Sequence, residues 1–138
     1  MKRLDSFQTK EEAIAYIRKN VYGCLQRDQA EKYLRENLPR ESYYQDKIIK
    51  FLKKNYPHGV VWKEAAGAYC KQGIPDVTFI LNGQYYGFEV KRPFFGVLSQ
   101  MQEQTIRQIQ AAGGVAEVVC FPEEVQKIIE KHMKVEGE

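Results

Sequence analysis

Asn82-Gly83, set between two runs of alternating apolar residues, constrains this chain more than any other dipeptide in it. Both residues tolerate the positive φ of a type I′ turn, so the pair predicts a two-residue β-hairpin. The turn also sets the register of the flanking strands, read as Ile74–Leu81 and Gln84–Lys91. Leu81 then faces Gln84, Ile80 faces Tyr85, Thr78 faces Gly87 and Asp76 faces Glu89. Opposed side chains on one face stand roughly 4.5–5.5 Å apart at Cβ. Alternation brings Lys91 to the face of Glu89 and sends Val77, Phe79, Phe88 and Val90 to the other.

Two carboxylates pressed together repel each other unless something positive lies between them. The natural candidates are a divalent metal ion and a lysine ammonium. The hairpin therefore reads as a metal site carried by Asp76 and Glu89 with Lys91 beside them, a grouping suited to cleaving phosphodiesters. The plainer reading makes Asp76 a turn residue after Pro75, and Glu89 and Lys91 exposed strand charges. All three residue types are depleted in strands, which favours the functional reading of their grouping.

With 138 residues, 43% of them hydrophobic and 28% charged, the chain is long enough for one ordinary buried core. No apolar run approaches the roughly 18–20 residues of a membrane span, and the first residues lack the apolar core of a signal peptide. Cys24, Cys70 and Cys120 are widely spaced with no CxxC pair, which argues against zinc and for reduced thiols in an intracellular setting. A net charge of +3 permits nucleic-acid binding without arguing for it.

Helical spacing recurs in Ala13, Ile14, Ile17, Val21 and Leu25, then in Ala30, Tyr33, Leu34 and Leu38. Two helices broken near Gly23 or Asp28 are expected, forming a helical extension over residues 1–40. The domain proper, residues 41–138, opens with a helix over Glu41–Asn55 striped by Tyr44, Ile48, Phe51 and Leu52. A strand from Val60, a connection over Glu64–Gln72 and the hairpin follow. Ser99 then caps a helix over Gln100–Ala112 that Gly113-Gly114 ends. A strand over Val115–Phe121 and a helix opening at Pro122 complete the order α-β-β-β-α-β-α.

Several further residues are candidates. Gln102 lies on the inward stripe of its helix with Ile106, Ile109 and Gly113, where it either meets the charged hairpin face or reaches solvent. Gln45 sits at the edge of its helix's stripe, one turn after Glu41 and one step from Asp46. Lys63, Lys71, Arg92 and Arg107 are candidate contacts to backbone phosphates, with a solvated surface role at least as natural for each. Tyr85 suits packing better than stacking on a base. Neither His58 nor His132 has a neighbour that would make it catalytic.

Together, Gly73-Ile74-Pro75-Asp76, Phe88-Glu89-Val90-Lys91-Arg92-Pro93, Leu98-Ser99-x-x-Gln102, Ala112-Gly113-Gly114 and Pro122-Glu123-Glu124-Val125 resemble the VRR-NUC domain. This domain is a branch of the PD-(D/E)xK nuclease superfamily, and the resemblance spans residues from about 41 to 130. It implies an α/β, restriction-endonuclease-like core with a mixed central sheet flanked by helices. It further implies cleavage of branched or junction DNA in replication, repair or recombination, dependent on Mg²⁺ or Mn²⁺, by a homodimer in a bacterial or phage-infected cell. By the same resemblance Asp76, Glu89 and the Val90 backbone carbonyl would bind the metal. Lys91 would orient or activate the attacking water, and Gln102 would complete the helix motif. One departure stands out: the family usually carries a metal-linked glutamate on the first core helix, where this chain has Gln45. Glu41 or Asp46 would have to substitute, or the metal would be held more weakly. A catalytically weak or inactive DNA-binding module is the alternative, and a protein-interaction scaffold using the N-terminal helices a third.

Overall fold

The computed structural model describes residues 1–65 and 72–136, so Gly67, Cys70 and Lys71 lie outside the described residues. The chain forms two compact units, Met1–Arg40 with Arg92–Gly96, and Glu41–Lys91 with Val97–Glu138.

In the first unit, α1 (Lys10–Asn20) starts at Thr9, whose hydroxyl accepts the Glu12 N–H at 3.1 Å. Glu11 and Glu12 stand in its first turn and Arg18 and Lys19 in its last, each matched to the helix dipole. At the start of α2 (Arg27–Asn37) the Gln26 N–H donates to Gln29 Oε1 at 3.0 Å and the Gln29 N–H to Asp28 Oδ1 at 3.0 Å. Ala13, Ile14, Ile17, Ala30, Leu34 and Leu38 bury their side chains in a small core. Leu25, expected on the α1 stripe, is instead exposed, because the helix has ended at Asn20 and helical spacing no longer applies.

The second unit holds α3 (Glu41–Asn55), β1 (Val60–Lys63), β2 (Val77–Leu81), β3 (Gln84–Val90), α4 (Gln100–Ala111), β4 (Val115–Val119) and α5 (Pro122–Glu136). Its sheet runs β1-β2-β3-β4, antiparallel through β3, with β4 parallel to β3. α4 is the crossover that a parallel pair needs. The result is the expected mixed sheet with flanking helices.

The hairpin has the register its turn demands: Leu81 pairs with Gln84, Thr78 with Gly87 and Val77 with Phe88. Asn82 and Gly83 take φ of 51° and 79°. One face of the sheet presents Val77, Phe79, Tyr86, Phe88 and Val90 to Tyr44, Ile48 and Leu52 of α3 and to Val125 and Ile129 of α5. Each such side chain contributes roughly 1.5–3 kcal/mol by leaving water, which makes this face the chief source of stability.

The strand ends differ from expectation. β2 begins at Val77, not Ile74, since Pro75 has no N–H for a ladder and the chain bends there. β3 stops at Val90, although the Lys91 N–H still donates to the Val119 carbonyl at 2.9 Å. β4 ends at Val119, short of Phe121, and α4 ends at Ala111 with Gly113 at φ 93°.

Candidate active site

The candidate site forms where β2 begins and β3 ends. Gly73 takes φ +82°, and a Cβ there would stand 2.7 Å from the Met101 carbonyl oxygen. Only glycine lets the turn pass so closely beneath the first turn of α4 on its way to Asp76. The Asp76 carboxylate then reaches across to β3, where Oδ2 accepts the Val90 N–H at 2.9 Å. The ladder stops at Val77 and Phe88, one pair short of Asp76 and Glu89, and this side-chain bond holds Asp76 beside Glu89 in the same register. Val90 buries its side chain in the core while its backbone meets Asp76.

Glu89 is the anomaly of this fold. Its residue exposure is 0%, a condition glutamate almost never meets unless it is paired. Oε1 accepts from Gln102 Nε2 at 2.9 Å and lies 3.6 Å from Lys91 Nζ. Oε2 is buried, and no hydrogen-bond donor reaches it. Burial foremost, then Asp76 as hydrogen-bond partner and as like charge, push the Glu89 carboxyl from 4.5 up to about 8. Lys91 pulls the other way, and Glu41 adds a smaller push. A protonated Glu89 can donate to Asp76, whereas an ionised one leaves Oε2 bare.

Gln102 is held at both ends of its amide. The Ser99 hydroxyl accepts the Gln102 N–H at 3.1 Å, and the Ser99 N–H donates to Gln102 Oε1 at 2.9 Å. That capping box leaves Nε2 free to bind Glu89, so the amide of the half-buried Gln102 meets the charged hairpin face. On α3, Gln45 is buried, Glu41 is partly buried and Asp46 is exposed. The effect of Glu41 on Glu89 marks the first turn of α3 as part of the site's electrostatic surroundings.

The candidate phosphate contacts divide. Lys63 is exposed at the end of β1. Arg107 is exposed on α4, paired with Glu103 at 2.6 Å. Lys71 lies outside the described residues. Arg92 departs from expectation: its guanidinium donates to the carbonyls of Arg35 at 2.6 Å, Pro39 at 3.1 Å and Leu38 at 3.2 Å. Those acceptors lie in the last turn of α2 and the two residues after it, so this arginine closes a helix terminus. Tyr85 is half-buried and packs at Gly87, where an added Cβ would meet its hydroxyl at 2.9 Å.

Sequence reasoning missed Glu64. Its Oε1 accepts from Thr78 Oγ1 at 2.7 Å and from Trp62 Nε1 at 2.8 Å, and its N–H donates to the Asp76 carbonyl at 2.8 Å. Glu64 therefore stands on the sheet face of Thr78, one strand away from Asp76. No turn signal links β1 to β2, so only the folded register could bring it there.

Among the described residues no group of three or more His, Cys, Asp or Glu could hold a metal ion. The Asp76–Glu89 pair, with hard oxygen donors and one buried oxygen that no hydrogen-bond donor reaches, fits a hard divalent cation such as Mg²⁺ or Mn²⁺.

A solved structure described as a VRR-NUC domain is similar to this chain in fold, with a TM-score of 0.51. The match covers 63% of this chain and 95% of that one, at 24% sequence identity. This chain has the VRR-NUC fold. No family model matches the sequence, and no curated protein matches it. Within this VRR-NUC fold the carboxylate pair sits at the open end of the hairpin, and α4 supplies Gln102 from the side.

Proposed function

We propose that this protein is a divalent-cation-dependent deoxyribonuclease. The observation that carries this reading is the buried Glu89 carboxyl, whose Oε2 receives no hydrogen-bond donor and stands beside a second carboxylate. Packing gives no reason to bury such a group, and a cation site does. The fold and the run of motifs from Gly73 to Val125 support the same chemistry.

In this reading residues 41–138 are the nuclease domain and residues 1–40 a helical extension. Asp76, Glu89 and the Val90 backbone carbonyl would hold Mg²⁺ or Mn²⁺. When bound, the cation polarises the scissile phosphate and makes water a better nucleophile. Lys91 aligns that water and offsets negative charge growing on the phosphate oxygens. Gln102 keeps Glu89 in its rotamer by donating to Oε1. The water oxygen bonds to phosphorus as the ester P–O bond breaks, leaving phosphate on one fragment and hydroxyl on the other. Branched or junction DNA in replication, repair or recombination is the substrate this reading assigns, cut by a homodimer inside a bacterial or phage-infected cell. No described helix is long and apolar enough to cross a membrane.

The test is cleavage of labelled junctions, flaps, duplexes and single strands with Mg²⁺, Mn²⁺ or EDTA. Cutting should require the cation and fall by at least about 10²-fold in Asp76→Asn and Lys91→Ala. One observation favours a second reading: the buried position on α3 is Gln45, which brings no charge to a cation. Affinity for DNA without cleavage of any substrate would make the protein a binding module that keeps the fold.

A further inference from the structure

α4 lies over only part of the sheet face that carries the candidate site. It reaches the β3–β4 side, where Gln102 bonds Glu89 and a Cβ on Gly114 would press on Ile109 at 2.6 Å. On the β1–β2 side of the same face three apolar side chains stay open: Val60 at 59% exposure, Trp62 at 41% and Ile80 at 37%. Val60 pairs with Ile80 and Trp62 with Thr78, so the three are neighbours on one surface. They leave an apolar surface beside the candidate site.

The indole is not loose. Its Nε1 donates to Glu64 Oε1 at 2.8 Å, and the same oxygen is anchored by the buried Thr78 hydroxyl at 2.7 Å. The polar edge of the ring is thus tied down, while much of the ring stays in water. Trp62 also lies close to the carboxylates. It is two residues along the strand from Glu64, whose N–H bonds Asp76, and two strands from β3. At strand spacings of about 3.4 Å per residue and about 4.8 Å per strand, its Cα is about 12 Å from that of Glu89. A nucleic-acid chain with a phosphate at the carboxylates reaches that far with a neighbouring nucleotide.

We propose, building on the nuclease reading above, that Val60, Trp62 and Ile80 form a stacking platform for an unpaired nucleobase close to the cleaved phosphate. Bases in a closed duplex already stack on each other and cannot use such a platform. Single-stranded or splayed nucleic acid is then the substrate class, with little dependence on which base is stacked, since every base has a π-face. Glu64 is a positioning residue that holds the indole, not a cation ligand.

The chain contains a single tryptophan, so its tryptophan emission reports Trp62 alone. The intact protein is titrated in EDTA with a thymine single strand, a fork with unpaired arms and a blunt duplex of equal length. Single strand and fork should quench the emission saturably, and the duplex should bind more weakly without quenching. Trp62→Ala should lose roughly 5- to 150-fold in affinity for the single strand, and Trp62→Phe should keep most of it. Single-strand binding that leaves the emission unchanged, or that Trp62→Ala does not weaken, overturns the platform. Emission that shifts with protein concentration alone, alongside a dimer in sedimentation, also overturns it and assigns the face to a second copy. Quenching with no cleavage of any substrate would uphold the platform and sink only the nuclease reading.

Discussion

Replacing Glu89 with glutamine should make the cation-free protein more stable and catalytically dead at once. Burial and Asp76 push the folded Glu89 carboxyl from 4.5 up to about 8, because they oppose its charge more than Lys91 favours it. The folded state therefore binds a proton that the unfolded state releases. For a raised carboxyl the stability is fully present below 4.5 and is lost as pH rises through 8. Each pH unit in that window costs about 1.4 kcal/mol, so by pH 7 the charge preference of Glu89 has cost roughly 3 kcal/mol. Glutamine has the same shape and no proton to lose, and its amide can donate to Asp76 as a protonated Glu89 would. At a few degrees per kcal/mol for a chain of this size, Glu89→Gln should melt on the order of 10 °C higher at pH 7.

The assay is thermal unfolding by circular dichroism from pH 4 to 9 in EDTA, wild type beside Glu89→Gln. The two curves should converge near pH 4 and diverge steadily above it. A difference independent of pH, or a glutamine variant that melts lower at pH 7, would refute the reasoning. Adding Mg²⁺ then tests the other half. A cation must displace the Glu89 proton, so its stabilising effect on the wild type should grow between pH 6 and 8 and be absent from the variant.

Three further outcomes follow from single contacts. Gln102→Ala should lower kcat roughly 10- to 100-fold with little change in KM, since it frees the rotamer of Glu89 without removing a ligand. The lost cap should also cost about 1 kcal/mol in urea unfolding. Gly73→Ala should cost roughly 1–2 kcal/mol or more, because alanine disfavours φ +82° and its Cβ would clash with Met101, which a shifted urea midpoint measures. Arg92→Lys should expose the amides of residues 27–38 to faster hydrogen exchange, as one ammonium cannot serve the three carbonyls that the guanidinium reaches.

How much of this was legible beforehand depended on whether a local signal set the geometry. Asn82-Gly83 is such a signal, and the pairing it dictates, down to Val77 with Phe88, holds in the fold. Pro75 was legible too, but its missing N–H outweighed the apolar pattern that extended the strand to Ile74. For Gln102, helical spacing gave the inward stripe and left open whether the amide reached solvent. The Ser99-x-x-Gln102 spacing is itself a capping-box signature, and it accounts for one end of the amide. Arg92 and Glu64 were out of reach. Arg92 bonds carbonyls more than fifty positions away, and Glu64 enters the site by a β1–β2 register that no turn residue dictates.

A single register thus does two opposed things. Alternation along β3 gives Phe88 and Val90 to the core and Glu89 to the other face, and α4 then closes over Glu89. The same packing that stabilises the hairpin strips water from a carboxylate and leaves one of its oxygens without a hydrogen-bond donor. A core chosen for stability alone would carry glutamine or an apolar residue there. Natural folds break such local rules at functional sites, where the lost stability returns when the missing partner binds. Glu89 is where the chain breaks its own pattern most severely, which is why the stability of its variants with and without cation tests the functional reading more directly than activity alone.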